Sequence, residues 1–126
     1  MTDLMTGRED LREVNMIVFV GGFSNSDVLG SAKGWAGAFL YNPKAKAALD
    51  NFYKRQDTLS LGVCNGCQLM MELGLINREV EMAQHPKLHH NGSGKFESTF
   101  LAISIPKNNS VMLSSYEGTQ LGVWVA

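Results

Sequence analysis

Two cysteines three positions apart, Cys64 and Cys67, lie in the stretch Gly62-Val63-Cys64-Asn65-Gly66-Cys67-Gln68, and they are the only cysteines in 126 residues. The thiolate is both a nucleophile and a metal ligand, so the pair admits several chemistries. One is a dithiol redox centre of the Cys-x-x-Cys type. A second is zinc, but such a site needs another ligand pair, and the adjacent His89 and His90 lack the usual ligand spacing. A third is a single nucleophile, Cys64, with Cys67 one helical turn on as a packing residue. Buried structural cysteines are the plain alternative to all three.

The flanking residues say how such a thiol is positioned. Leu59-Ser60-Leu61 enters Gly62, Cys64 follows, and Leu69, Met70 and Met71 leave at helix-compatible spacing. Strand, tight turn and helix in that order form the elbow on which α/β enzymes raise a nucleophile. The helix N-terminus beneath it offers free N–H groups and the positive end of a dipole, both favourable to a thiolate. The spacing predicts a strand over 57–63 and a helix over 65–73 stopped by Gly74.

Upstream, the apolar run 15–20 reads as a strand buried on both faces of a parallel sheet. It stops at Gly21-Gly22-Phe23-Ser24-Asn25-Ser26-Asp27. A glycine pair directly after a strand either lets backbone N–H groups approach a ligand or simply turns the chain. Residues 29–41 read as a glycine-interrupted helix packed through Trp35, Phe39 and Leu40. Asn42-Pro43 pairs an N-cap with a first-turn proline, and Ala45, Ala48, Leu49 and Phe52 follow at helical spacing, predicting an amphipathic helix over 43–55. Thr6 and Glu9 have capping-box spacing ahead of Leu11 and Val14, which predicts a short helix there. Beyond Ile76 the periodicity lapses. Residues 99–105 read as a mostly buried strand and 121–126 as another. Strands alternating with helices predict an α/β fold with a largely parallel sheet.

Charge excludes some partners. The formal net charge is −1, so no basic excess exists to release counterions from nucleic acid. No apolar run reaches the roughly 20 residues of a membrane span. The acidic, arginine-containing N-terminus does not read as a signal peptide, and a cytoplasmic protein without nucleic-acid or membrane partners is expected. The length suits one domain.

The elbow resembles the Gly-x-Cys-x-Gly-x-Gln motif of class I, triad-type glutamine amidotransferases. Gly21-Gly22-Phe23-Ser24, Asp27-Val28-Leu29-Gly30, Gly34-Trp35-Ala36 and Asn91-x-Ser93-x-Lys95-Phe96-Glu97-Ser98 narrow the likeness to the glutaminase domains of the phosphoribosylformylglycinamidine synthase family, across residues 16–126. The resemblance implies a flavodoxin-like fold and an ATP-dependent C–N ligase of de novo purine biosynthesis. Cys64 would attack the side-chain amide of glutamine, giving a thioester and ammonia for amidation of formylglycinamide ribonucleotide. It assigns the oxyanion hole to N–H groups of Gly22 and Asn65, and substrate binding to Gly21, Phe23, Gly66 and Gln68. No metal or cofactor is implied here; ATP and magnesium belong to a separate synthetase portion, the expected partner.

Two departures stand out. The family's loop commonly reads Gly-Gly-Phe-Ser-Tyr-Gly-Asp, whereas this chain has Asn25-Ser26 before Asp27; asparagine's tolerance of positive φ would preserve the turn. The family's general-base histidine lies in a His-Pro-Glu segment that this sequence lacks, and His85-Pro86-Lys87 matches it only superficially. The sequence therefore reads as a partial domain, 1–126, incomplete at both ends and inactive alone, with neither His85, His89 nor His90 as base. Its unpaired sheet edges predict self-association.

Overall fold

The computed structural model describes residues 1–126, the side chains of Asn25 and Met82 excepted. The chain forms two compact units, Met1–Leu88 and His89–Ala126.

In the first unit a parallel pair of strands, β1 (Met16–Phe19) and β2 (Leu59–Gly62), runs in register from Met16↔Leu59 to Phe19↔Gly62. The Val63 N–H donates to the Phe19 carbonyl at 2.9 Å, carrying the ladder to the edge of the elbow. A parallel pair needs a long crossover. Here it contains two helices, α2 (Lys33–Leu40) and α3 (Pro43–Lys54). A third, α4 (Asn65–Glu72), follows β2, and a short α1 (Thr2–Thr6) precedes β1.

Local chemistry explains the helix boundaries. The Asn42 side chain accepts the Lys44 and Ala45 N–H groups, at 3.1 and 3.0 Å, and Pro43 opens α3 as expected. At the end of α4, Gly74 is left-handed; its N–H donates to the Met71 carbonyl and that of Leu75 to Met70. This reciprocal pair stops the helix at the predicted place. The expected capping box at Thr6–Glu9 does not start a helix. Thr6 ends α1, with Gly7 left-handed at φ 81°. The Glu9 carboxylate instead accepts the N–H groups of Asp10 and Leu11, both at 2.9 Å. Arg55 holds the turn that follows, donating to the carbonyls of Leu11, Arg12 and Val14 while its Nε and Nη2 grip Asp57.

Phe19 leads the core, with its ring edge-on to Trp35 and Phe39. Ala32, Ala36, Ala45, Leu49, Leu69 and Met70 complete that cluster, and Leu11, Ala48 and Phe52 form a second. The strand over 15–20 is not buried on both faces as the sequence suggests. Phe19 is buried, whereas Met16 and Val18 are about half exposed. Among the described residues β1 pairs only with β2 and packs helices against one face, so alternate residues lack a covering layer.

The second unit is an antiparallel pair, β3 (Thr99–Ser104) and β4 (Gln120–Val125), in register from Thr99↔Val125 to Ser104↔Gln120. Two expectations fail here. All of β3 is exposed rather than mostly buried, and this pairing is antiparallel, so half of the observed strands lie outside the parallel arrangement. An apolar strand is buried only when a second layer covers it, and within this unit the Phe100 ring lies over Gly122 and edge-on to Trp124, at 5.4 Å between centroids, both on the neighbouring strand.

Candidate active site

Cys64 occupies the N-cap of α4 with φ 52° and ψ −112°. A non-glycine residue in that region costs on the order of 1–3 kcal/mol. The surroundings enforce it. A Cβ on Gly66 would stand 1.9 Å from the Phe19 carbonyl oxygen, and one on Gly62 would stand 2.9 Å from both the Cys67 Cα and the Gly66 carbonyl oxygen. The two glycines thus let the start of α4 lie directly on β1 and close the turn beneath Cys64. The Gly66 N–H donates to Val63 at 2.9 Å and that of Gln68 to Cys64 at 3.1 Å. The thiol is carried outward: Cys64 is exposed and unbridged.

The glycine loop reaches the same point. A Cβ on Gly21 would lie 3.2 Å from the Cys64 Cβ and 4.0 Å from its Sγ. Gly22 follows at φ 115°, open on its free side. Among the described residues the N–H groups of Gly22 and Asn65 have no acceptor. Phe23 stands 82% exposed. The loop then turns through Ser26 and Asp27, both left-handed at φ 57° and 46°.

Beneath the elbow lies a polar tie that no local sequence pattern announces. Asn65 is 2% exposed. Its Nδ2 donates to Asp27 Oδ1 at 3.2 Å and to Gln68 Oε1 at 2.9 Å. Asp27 Oδ1 also accepts the Ala32 N–H at 2.9 Å. Asn65 Oδ1 is buried with no partner among the described residues, a cost of about 1–3 kcal/mol. The one signal for this tie in the sequence is an aspartate closing a glycine-rich loop. Its partner lies 38 residues away.

Other expected residues lie differently. Cys67 is exposed rather than packed. His85 Nε2 sits on the Val80 carbonyl and lines a small hollow with Met71, Gly74, Ile76, Asn77 and Pro86. Among the described residues no histidine hydrogen-bonds Cys64, and no cluster of three or more metal-ligating side chains occurs. No described helix is long and apolar enough to cross a membrane. Tyr53 lies under Arg78, whose guanidinium carbon is 4.6 Å from the ring centroid, and desolvation pushes its phenol above the usual value.

The whole chain, residues 1–126, matches the family described as CobB/CobQ-like glutamine amidotransferase domain. The chain belongs to that glutamine amidotransferase family. It is 46% identical over 126 residues to the phosphoribosylformylglycinamidine synthase of Dictyostelium discoideum, covering 98% of this chain and 9% of that protein. It is 46% identical over 131 residues to the probable chloroplastic or mitochondrial phosphoribosylformylglycinamidine synthase of Arabidopsis thaliana, covering 100% of this chain and 9% of the relative. The human phosphoribosylformylglycinamidine synthase is 44% identical over 138 residues, covering 100% of this chain and 10% of that protein. The chain thus spans about a tenth of the length of these relatives.

Proposed function

We propose that this amidotransferase domain is the glutaminase part of a phosphoribosylformylglycinamidine synthase, with a class I, flavodoxin-like architecture and Cys64 as its nucleophile. The observation that carries the reading is the left-handed Cys64 at the N-cap of α4, exposed and so close to Gly21 that a Cβ there would stand 3.2 Å from the Cys64 Cβ.

The chemistry follows from that placement. The Cys64 thiolate attacks the carbonyl carbon of the glutamine side-chain amide, forming a C–S bond and pushing an electron pair onto oxygen. The Gly22 and Asn65 N–H groups, unpaired within the described chain, are the donors for that oxyanion. Collapse breaks the C–N bond, ammonia leaves with an added proton, and a glutamyl thioester remains. Water then releases glutamate and restores the thiol. Gly21, Phe23, Gly66 and Gln68 border the substrate. The proton relay is assigned to none of His85, His89 and His90. Among the described residues no histidine hydrogen-bonds Cys64, and a nucleophile working without its triad base keeps only a small residual rate. The ammonia would serve a synthetase portion that uses ATP and magnesium to amidate formylglycinamide ribonucleotide.

The test is alkylation by a glutamine-shaped diazoketone, 6-diazo-5-oxo-norleucine, followed by peptide mapping. Modification of Cys64, prevented by excess glutamine, supports the reading. Modification of Cys67 alone, or a stable Cys64–Cys67 disulfide at a low potential, would replace it with a redox reading.

A further inference from the structure

We infer that Asp27 is a positioning residue that fixes, through Asn65, which end of the Gln68 amide faces the Cys64 site. The inference rests on the amidotransferase reading and names a specificity device within it.

A carboxylate offers acceptors only, whereas a carboxamide offers an oxygen and an NH2 with two hydrogens. Asp27 Oδ1 lies 3.2 Å from Asn65 Nδ2, so Asn65 must turn its NH2 toward the loop. The second hydrogen of that NH2 goes to Gln68 Oε1, at 2.9 Å. Gln68 therefore spends its oxygen inward and keeps its own NH2 for the outside. Gln68 lies one turn into α4 from Cys64, and its backbone N–H donates to the Cys64 carbonyl at 3.1 Å, which holds the two residues side by side. The face beside the thiol is thereby given a donor, suited to the oxygens of an amino-acid carboxylate or side-chain amide.

Two further observations support the direction of this relay. Asp27 Oδ1 is itself held by the Ala32 N–H at 2.9 Å, so the starting point is fixed by backbone. Asn65 Oδ1 is left buried without a partner. Turning the amide over would set that oxygen against the acceptor-only Asp27 carboxylate, so the NH2 stays toward Asp27 although Oδ1 goes unpartnered. Asp27 enters from the glycine loop and Asn65 from α4, so the same tie sets the loop's register over the elbow.

The experiment measures second-order alkylation rates at Cys64 for 6-diazo-5-oxo-norleucine and for iodoacetamide, which has no glutamine shape. Asp27→Asn keeps an oxygen at the Oδ1 position and should retain the parent's ratio of the two rates within about twofold. Asp27→Ala frees the Asn65 amide and should slow the diazoketone by about tenfold or more while sparing iodoacetamide, since small misplacements of a binding group cost factors of this size. Equal slowing of both reagents, an unchanged ratio in Asp27→Ala, or loss of the ratio in Asp27→Asn would each overturn the inference. Failure of the diazoketone to reach Cys64 in the unsubstituted chain would sink the amidotransferase reading instead. A nitrogen-15 amide spectrum tests the tie independently of that reading. Asn65 side-chain NH2 protons should exchange slowly and those of Gln68 fast in the unsubstituted chain, and equal exchange would contradict the relay.

Discussion

Replacing Gly66 with alanine sets two physical effects against each other with opposite signs. Gly66 is the second residue of α4, and in a helix alanine is favoured over glycine by about 1 kcal/mol. Sterics oppose this. A Cβ at Gly66 would lie 1.9 Å from the Phe19 carbonyl oxygen, 2.4 Å from the carbonyl carbon and 2.8 Å from the Phe19 Cβ. Relaxed contact needs roughly 3.5 Å, so α4 must retreat from β1 by on the order of 1.5 Å. Leu69, 0% exposed, and Met70 pack in the Phe19 cluster and would lose contact as it does. Overpacking costs typically about 1–3 kcal/mol. With lost packing added and propensity subtracted, the substitution should destabilise by about 2 kcal/mol. That corresponds to a melting midpoint lower by roughly 6–12 °C in a chain of this size. Thermal unfolding by far-ultraviolet circular dichroism reads it directly. Gly37→Ala in α2 is the control, because its Cβ would meet only Tyr41 ring carbons at 3.6 and 3.9 Å, ordinary contacts. It should raise stability by up to about 1 kcal/mol. A Gly66→Ala chain that melts at or above the parent would refute the packing of the elbow on β1.

Further outcomes follow from the same coordinates. Ser26 is left-handed at φ 57°, so Ser26→Gly should stabilise by about 0.5–1 kcal/mol in urea unfolding, the relief of left-handed strain exceeding the entropy glycine adds to the unfolded chain; a lower midpoint would contradict this. The Arg55 side chain, hydrogen-bonded to Asp57, holds the Asp57 carboxyl below its ordinary range. A carboxyl lowered in the folded state stabilises above its ordinary value, and the gain disappears as pH falls through the lowered one. Asp57→Asn should therefore flatten the acid limb of a urea midpoint against pH profile, and an unchanged limb would refute the clip. Among the described residues each of β1 and β2 pairs only with the other, and Met16, Val18 and Leu59 are exposed. Sedimentation should show the mass rising with concentration and Val18→Lys suppressing the rise; a monomer at every concentration would oppose it.

What could be read from the sequence is what neighbours in the chain decide. Asn42 before Pro43, Gly74 after Met71, and the glycines on either side of Cys64 each act within a turn or two, and each element appears where these residues place it. Burial was less legible, because it depends on which layer covers a strand. β3 carries four consecutive apolar residues, Phe100 to Ile103, as a strand buried on both faces would, yet every one of its residues is exposed. The helix expected after Thr6 does not form because Glu9 has two ways to satisfy neighbouring N–H groups, and its carboxylate takes those of Asp10 and Leu11 in a turn. The Asp27–Asn65–Gln68 tie joins a loop to a helix across 38 residues of chain, and no local pattern encodes it. Cys67 illustrates the limit of motif reading, since Cys-x-x-Cys spacing alone does not reveal that both thiols face solvent.

The central claim is that Cys64, the Gly21–Gly22 loop and the start of α4 form one oxyanion-binding nucleophile site. A crystal structure of the chain alkylated by 6-diazo-5-oxo-norleucine tests it most directly. A covalent bond to Cys64 Sγ is expected, with a ketone oxygen about 2.7–3.1 Å from the N–H nitrogens of Gly22 and Asn65. An adduct on Cys64 whose oxygen faces solvent, or an adduct on Cys67, would contradict it.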